Sequence, residues 1–336
     1  MIKKVLVILC FAIFWSCQDD LVRNQSVGNA LGTTYSIIYL TDGTQDYQKE
    51  IDSVFQVVNQ SMSTYIPDSD ISKINRGDST LVIDEMFAEV FHLSKRIHDV
   101  SNGYFDPTVG VLVNAWGFGP EKSMELDSTR VDSLLQYVGF DKVELTEENT
   151  ISKKNAQVHF DFNAVAKGYA IDRLGAMLNE KGVDNYLVEV GGEVLTKGTN
   201  QLTQKEWTVG IDDPQAQGQR TLKQIVRLKD KALASSGNYR KFRVDSLTGE
   251  KYVHTINPKT GYTKNAKVLA TSVIAKTCSE ADAFATAFMA MDLEDTKELL
   301  AISKVVGGPE VYIIYLNDKG ETQEYMTSGF EELIVN

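Results

Sequence analysis

Cysteine, proline and positive charge are all in short supply in this sequence. Of 336 residues, three are cysteine and six are proline. Cys10 and Cys17 fall at the extreme N-terminus, which leaves Cys278 alone in the body of the chain and excludes an internal disulfide there. The fold must be held by its core. So few prolines exclude a Pro-rich hinge, and no internal repeat or low-complexity linker is present. Lys and Arg number 34 against 46 Asp and Glu, a net charge of −12. Phosphate backbones demand a basic face, so nucleic acid is excluded as a partner. If the ligand is a nucleotide, an acidic protein must neutralise its pyrophosphate locally, with a metal ion or a placed lysine. Beyond residue 16 no run of 18 apolar residues occurs, and no transmembrane helix is expected.

What the first residues do contain is the layout of an export signal. Lys3 and Lys4 precede an apolar run over 5–15, and Ser16-Cys17 follows. That run is too short to span a bilayer, which needs about 20 residues. A cysteine at the cleavage point predicts a lipoprotein with Cys17 acylated; plain cleavage beside an incidental cysteine is the alternative. Residues 17–29 read as a lipidated polar tether and 30–336 as the functional domain, large enough for one big core or two lobes. Loss of residues 1–16 leaves 46 acidic against 32 basic side chains.

Short β-rich runs and helical stretches alternate irregularly, an α+β pattern, expected as two lobes across a cleft. Strands are predicted over 35–40, 157–161, 186–190, 207–211, 224–228, 268–275 and 311–316. Apolar residues at helical spacing predict helices over 47–62, 84–100, 163–181 and 280–291, the last capped by Thr277 or Ser279. Asn102-Gly103 ends the second helix and Gly182 the third.

Five segments carry candidate chemistry. The 280–291 helix is apolar nearly all round, so it is buried, and Asp282 is its exception. A buried carboxylate needs a cation, a hydrogen-bond network or a metal. Thr286 lies one turn on, and together the two present hard oxygens suited to Mg²⁺; an Arg partner for Asp282 and back-bonding by Thr286 stay open. In Asp161-Phe-Asn-Ala-Val-Ala-Lys-Gly-Tyr-Ala170 a strand feeds a helix, a junction suited to a nucleotide, with Lys167 in reach of phosphate or adenine. An N-capping Asp161 and a solvated Lys167 are the plainer reading. His254 precedes the tight turn Asn257-Pro-Lys-Thr-Gly261 and is either a general base or a half-buried histidine. In the run from Phe105 to Pro120, glycines alternate with Trp116 and Phe118, a surface for a planar ring or ordinary core packing. Tyr65, in Met62-Ser-Thr-Tyr65, stacks either on such a ring or on the core.

The order of these segments resembles the FAD:protein FMN transferase family, the ApbE proteins. Leu31-Gly-Thr-Thr-Tyr35, Met62-Ser-Thr-Tyr65, Asp106-Pro-Thr-Val-Gly110 through Trp116-Gly-Phe-Gly-Pro120, and Asp161 through Ala170 match in sequence. Val190-Gly-Gly-Glu193, Ser236-Gly-Asn-Tyr239, His254 through Gly261 and Ala281-Asp-Ala-Phe-Ala-Thr286 complete the series, over residues 31 to about 291. The resemblance implies an α+β fold related to the tunnelling (T-fold) class, with FAD and Mg²⁺ in the cleft between lobes. It implies an FAD site lined by Leu31, Tyr65, Ala115, Trp116, Gly117, Asp161, Lys167 and Ile256. Mg²⁺ would be held by the Ala164 carbonyl, Asp282 and Thr286, and His254 would be the base.

The implied activity is Mg²⁺-dependent transfer of FMN from FAD to a Ser or Thr hydroxyl of a target protein, with AMP released. Implied acceptors are exported flavoprotein subunits of a Na⁺-pumping quinone reductase or Rnf-type complex, or another FMN-binding domain, met by a lipid-anchored enzyme in the periplasm. An FAD pyrophosphatase and a non-catalytic periplasmic flavin-binding lipoprotein are the alternatives. Leu31 replaces the family's usual Met, Asn163 a Gly and Asn257 an Asp; the last removes a carboxylate near the site and leaves the base to His254 or another residue.

Overall fold

The computed structural model describes residues 21–216, 221–238, 242–244, 251–263, 267–303 and 308–335. The expected signal segment, Cys17, residues 18–20 of the tether and Tyr239 lie outside them. The chain opens with two ten-residue strands, β1 (Leu21–Ala30) and β2 (Thr33–Asp42), paired as an antiparallel hairpin. Residues 21–29, expected as tether, are thus part of the fold. The β1 sequence hides this because its buried side chains include polar ones: Asn24 Nδ2 donates to Thr41 Oγ1 at 2.7 Å and Asn24 Oδ1 accepts from Gln45 N at 2.9 Å. Inward polar groups paired in this way cost little, but they erase the apolar alternation.

Four helices follow, α1 (Gln48–Met62), α2 (Asp70–Asn75), α3 (Glu85–Val100) and α4 (Gly110–Ala115). The first and third match the helices read from apolar spacing; Asp84, expected inside α3, is instead its cap, accepting from Phe87 N at 2.7 Å. Such a cap stabilises by about 1 kcal/mol. Then come α5 (Ser128–Leu135), the short ribbon β3 (Val143–Leu145) and β4 (Ile151–Lys153), and α6 (Ala166–Glu180).

The second half holds β5 (Tyr186–Val190), β6 (Glu193–Lys197), the ribbon β7 (Trp207–Asp212) and β8 (Leu222–Leu228), β9 (Ala232–Gly237), and a small pair, β10 (Phe242–Val244) with β11 (Lys251–Val253). It closes with β12 (Val268–Ala275), α7 (Cys278–Ala290), α8 (Leu293–Ser303), β13 (Glu310–Leu316), β14 (Thr322–Met326) and α9 (Ser328–Glu331).

Eight strands form one antiparallel sheet in the order β1-β2-β5-β6-β9-β12-β13-β14. Both faces are covered, so neighbouring residues bury in opposite cores. Ala234, Val273 and Ile313 join the helical side, whereas Leu233, Ile274, Tyr312 and Ile314 pack with Val226 and Leu228 of the β7/β8 ribbon and with Phe330. On the helical side α6 lies over β5 and β6, α7 over β9 and β12, and α1 and α3 form a further layer on α6 and α7. This is the expected α+β class. Among the described residues no helix is long and apolar enough to cross a membrane.

Candidate active site

Helices α6 and α7 cross at unusually close range, and the site begins there. Gly168 on α6 has no room for a side chain: a Cβ would lie 2.4 Å from the Cys278 carbonyl oxygen and 2.8 Å from Ser279 Cα. The approach lets the Gly168 amide donate to Asp282 Oδ2 at 3.1 Å. Asp282 is buried at 5 % exposure, and Thr286, half-buried, follows one turn along α7. Next to Gly168, Lys167 Nζ sits 2.8 Å from Oε2 of the buried Glu193. Glu193 opens β6 directly after the Gly191-Gly192 turn, whose φ values of 61° and 98° demand glycine.

Burial and charge oppose one another here. Burial pushes the Asp282 carboxyl above its usual range, opposed by the Lys167 charge and the Gly168 amide. Burial also works against the Lys167 ammonium, but Glu193 and Asp282 outweigh it and hold its pKa above normal. Lys167 thus interacts with two buried carboxylates, those of Glu193 and Asp282.

The Asp161 segment reaches the same helix differently from expectation. Residues 157–161 form no strand; one parallel bridge joins His159 to Val109, and Asp161 N donates to Pro107 O at 2.7 Å. Val158, Phe160 and Phe162 all bury fully, so the segment reads as β-rich although no partner strand lies beside it. Its backbone is satisfied instead by Asn75, whose Oδ1 accepts from Phe160 N at 2.8 Å while Nδ2 donates to Phe160 O at 2.9 Å. Asp161 Oδ1 accepts from Asn163 N at 2.7 Å, a local turn rather than a helix cap, and α6 starts only at Ala166. Half-buried Ala164 occupies that turn. Burial raises the Asp161 carboxyl, with Asn163 pulling the other way.

The aromatic candidates gather in a second neighbourhood. Trp116 Nε1 donates to Gly261 O at 2.9 Å, tying residues 115–117 to the Asn257–Gly261 turn, and Trp116 shares a buried cluster with Ile256. Ala115 is fully buried, and Gly117 has a φ of 80°. Tyr65 is 59 % exposed, with its hydroxyl 3.4 Å from Phe118 O; partial burial and the nearby Asp161 charge raise its phenol pKa. Half-buried His254 stands between β11 and that turn, two residues before Ile256. Leu31 sits at the β1–β2 tip with a φ of 50° and packs against both large core clusters, and beside it Thr34 O accepts from Gly191 N at 3.0 Å, next to the turn before Glu193. A leucine in the left-handed region costs about 1 kcal/mol or more.

The sequence profile of the ApbE family matches residues 31–307. The chain belongs to that family. It is 33 % identical to an FAD:protein FMN transferase of Haemophilus influenzae over 331 residues, 95 % of this chain and 93 % of the relative. A solved structure of the flavin transferase ApbE from Vibrio cholerae superposes with a TM-score of 0.81 at 31 % identity, covering 94 % of this chain and all of that one. An ApbE protein from Thermotoga maritima gives 0.80 at 25 % identity over 94 % of this chain and 100 % of its own.

In this ApbE-family chain the donor chemistry of the expected ligand set, an acid, an alcohol and a carbonyl, suits Mg²⁺. Among the described residues no cluster of three or more His, Cys, Asp or Glu side chains has metal-binding spacing. A metal at Asp282 would therefore depend on a hydroxyl and a carbonyl, which suits a hard cation. Burial works against the Asp282 charge, and a divalent ion there would favour it as the Lys167 charge and the Gly168 amide already do. Glu193 lies within the Val190-Gly-Gly-Glu193 motif, but its role is not readable from sequence because its partner Lys167 lies 26 positions earlier on another element. The paired glycines just before it were the available signal.

Proposed function

We propose that the protein is an FAD:protein FMN transferase acting on a Ser or Thr hydroxyl of an exported target. The observation that carries the reading is the buried Asp282 at the α6–α7 crossing, one turn from Thr286 and beside Lys167. It stands in a chain whose relatives bear that enzyme name. Asp282, the Thr286 hydroxyl and the Ala164 carbonyl would hold Mg²⁺, which supplies charge neutralisation at the FAD pyrophosphate. Lys167 adds a second positive charge to bind and orient the same group. Trp116, Tyr65 and Ile256 offer apolar surface for the flavin and exclude water. His254 takes the proton from the target hydroxyl. That oxygen bonds to the FMN-side phosphorus while the bridging P–O bond breaks and AMP departs. General-base help of this kind contributes about 10²–10⁴-fold.

The charged start, apolar run and Ser16-Cys17 support export and acylation at Cys17, with the enzyme facing the periplasm. Acceptors then are exported flavoprotein subunits with FMN-binding domains, of the Na⁺-pumping quinone reductase or Rnf type. Incubation with FAD, Mg²⁺ and such an acceptor tests the reading. A flavin-fluorescent acceptor band in a denaturing gel, lost on adding EDTA, is expected. Free FMN without a labelled acceptor would identify a hydrolase, and unchanged FAD a carrier; either result overturns the proposal.

A further inference from the structure

Helix α7 carries both side-chain candidates for the metal, and its position is set by a residue the reaction does not use. Asp172 lies on α6, one turn after Gly168, and its carboxylate points at the first turn of α7. Oδ1 accepts from Cys278 N at 2.7 Å, while Oδ2 accepts from Ser279 N at 2.9 Å and Ser279 Oγ at 2.6 Å. Thr277 separately caps the helix through Glu280 N. Asp172 is therefore not needed to start α7; it fastens that start to α6. Burial pushes the carboxyl up to about 6, against the pull of the Ser279 hydroxyl and the two amides. A simple surface cap would incur no such penalty.

Two residues on consecutive turns of α6 thus meet α7: Asp172 at residues 278 and 279, and Gly168, whose backbone lies close against 278 and 279 and whose amide donates to Asp282. A rigid helix moves as a unit, so a shift at 278–279 is carried one turn to Asp282 and two turns to Thr286. We infer that Asp172 is a positioning residue that sets the register of α7 on α6 and so aims Asp282 and Thr286 at the metal. This rests on the transferase reading above.

The test is Mn²⁺ binding, followed by electron paramagnetic resonance of the free ion, on the whole chain with FAD present and no acceptor. Asp172→Asn keeps the side chain's size but turns an NH₂ toward groups that are themselves donors. It should weaken Mn²⁺ binding at least tenfold with far-UV circular dichroism unchanged, and FAD retention on a desalting column should fall much less. A role confined to helix stability would lower the melting temperature in EDTA and leave Mn²⁺ affinity alone; binding within twofold of wild type overturns the inference. Should Asp172→Asn not fold, Ser279→Ala removes only the hydroxyl donor and is expected to cost about threefold in affinity, again refuted by wild-type binding. Asp282→Asn separates the two ideas. If it too binds Mn²⁺ normally, the metal reading itself falls; if it alone loses Mn²⁺, only the role of Asp172 does.

Discussion

Replacing Lys167 by Met keeps the length of the side chain and removes the charge that two buried carboxylates share. Removing one partner of a buried pair costs about 3–5 kcal/mol. Two effects reduce that figure here. The Lys167 side chain is 29 % exposed, so solvent screens part of the interaction. Protonation also sets a ceiling: neutralising a glutamate of ordinary pKa at neutral pH costs about 3.7 kcal/mol. We therefore expect a loss of about 2–3 kcal/mol, or roughly 3–4 °C in melting temperature for a chain of this size. The sign with pH follows. Without Lys167 the folded-state pKa of Asp282 rises further above its unfolded value, so the folded form binds more protons. The deficit is small near about pH 5 and grows toward about pH 8. Lys167→Met/Glu193→Gln should recover most of the loss, since one buried charge is then gone. Differential scanning calorimetry in EDTA measures all of this. An unchanged melting temperature at the higher pH, or a deficit that ignores pH, would refute the shared counter-ion.

Gly168→Ala should destabilise, although alanine in a helix ordinarily gains up to about 1 kcal/mol. Overpacking at the Cys278 carbonyl, 2.4 Å away, costs about 1–3 kcal/mol and prises α6 from α7, so metal affinity falls with the melting temperature. His98→Gln should flatten the pH dependence of stability. The hydrogen bond to Asp106 outweighs burial and raises the His98 pKa above 6.5, so this contribution is complete at lower pH and lost as pH rises through the folded value. Equilibrium denaturation at a series of pH values reads the effect. His254→Ala should slow FMN transfer about 10²–10⁴-fold while FAD remains bound, as seen by separate turnover and flavin-retention assays.

The legible parts of the fold were those whose burial follows a local period. α7 declares itself because one acid interrupts an apolar helix, and α3 because Asp84 precedes a clean stripe of Phe87, Val90, Phe91 and Ile97. β1 was illegible, since Asn24 and Ser26 are buried and Asn24 is reconciled by Thr41 and Gln45 on other segments. Residues 157–161 failed in the opposite direction: buried Val158 and Phe160 at alternate positions imitate a strand, but Asn75 supplies the hydrogen bonds a neighbour would have made. The same division runs through the site. Asp282 and Thr286 share one helix face and could be found together. Glu193 and Asp172 act through partners distant in sequence, the latter 106 residues away, and no spacing rule reaches that far.

The most direct test of the account is the intact mass of an acceptor domain after reaction with FAD and this protein, wild type beside Asp282→Asn. The account predicts the mass of one FMN added by the wild type in Mg²⁺, none in EDTA and little or none with the variant. An acceptor modified equally by wild type and Asp282→Asn would contradict a reaction centred on the acid of α7.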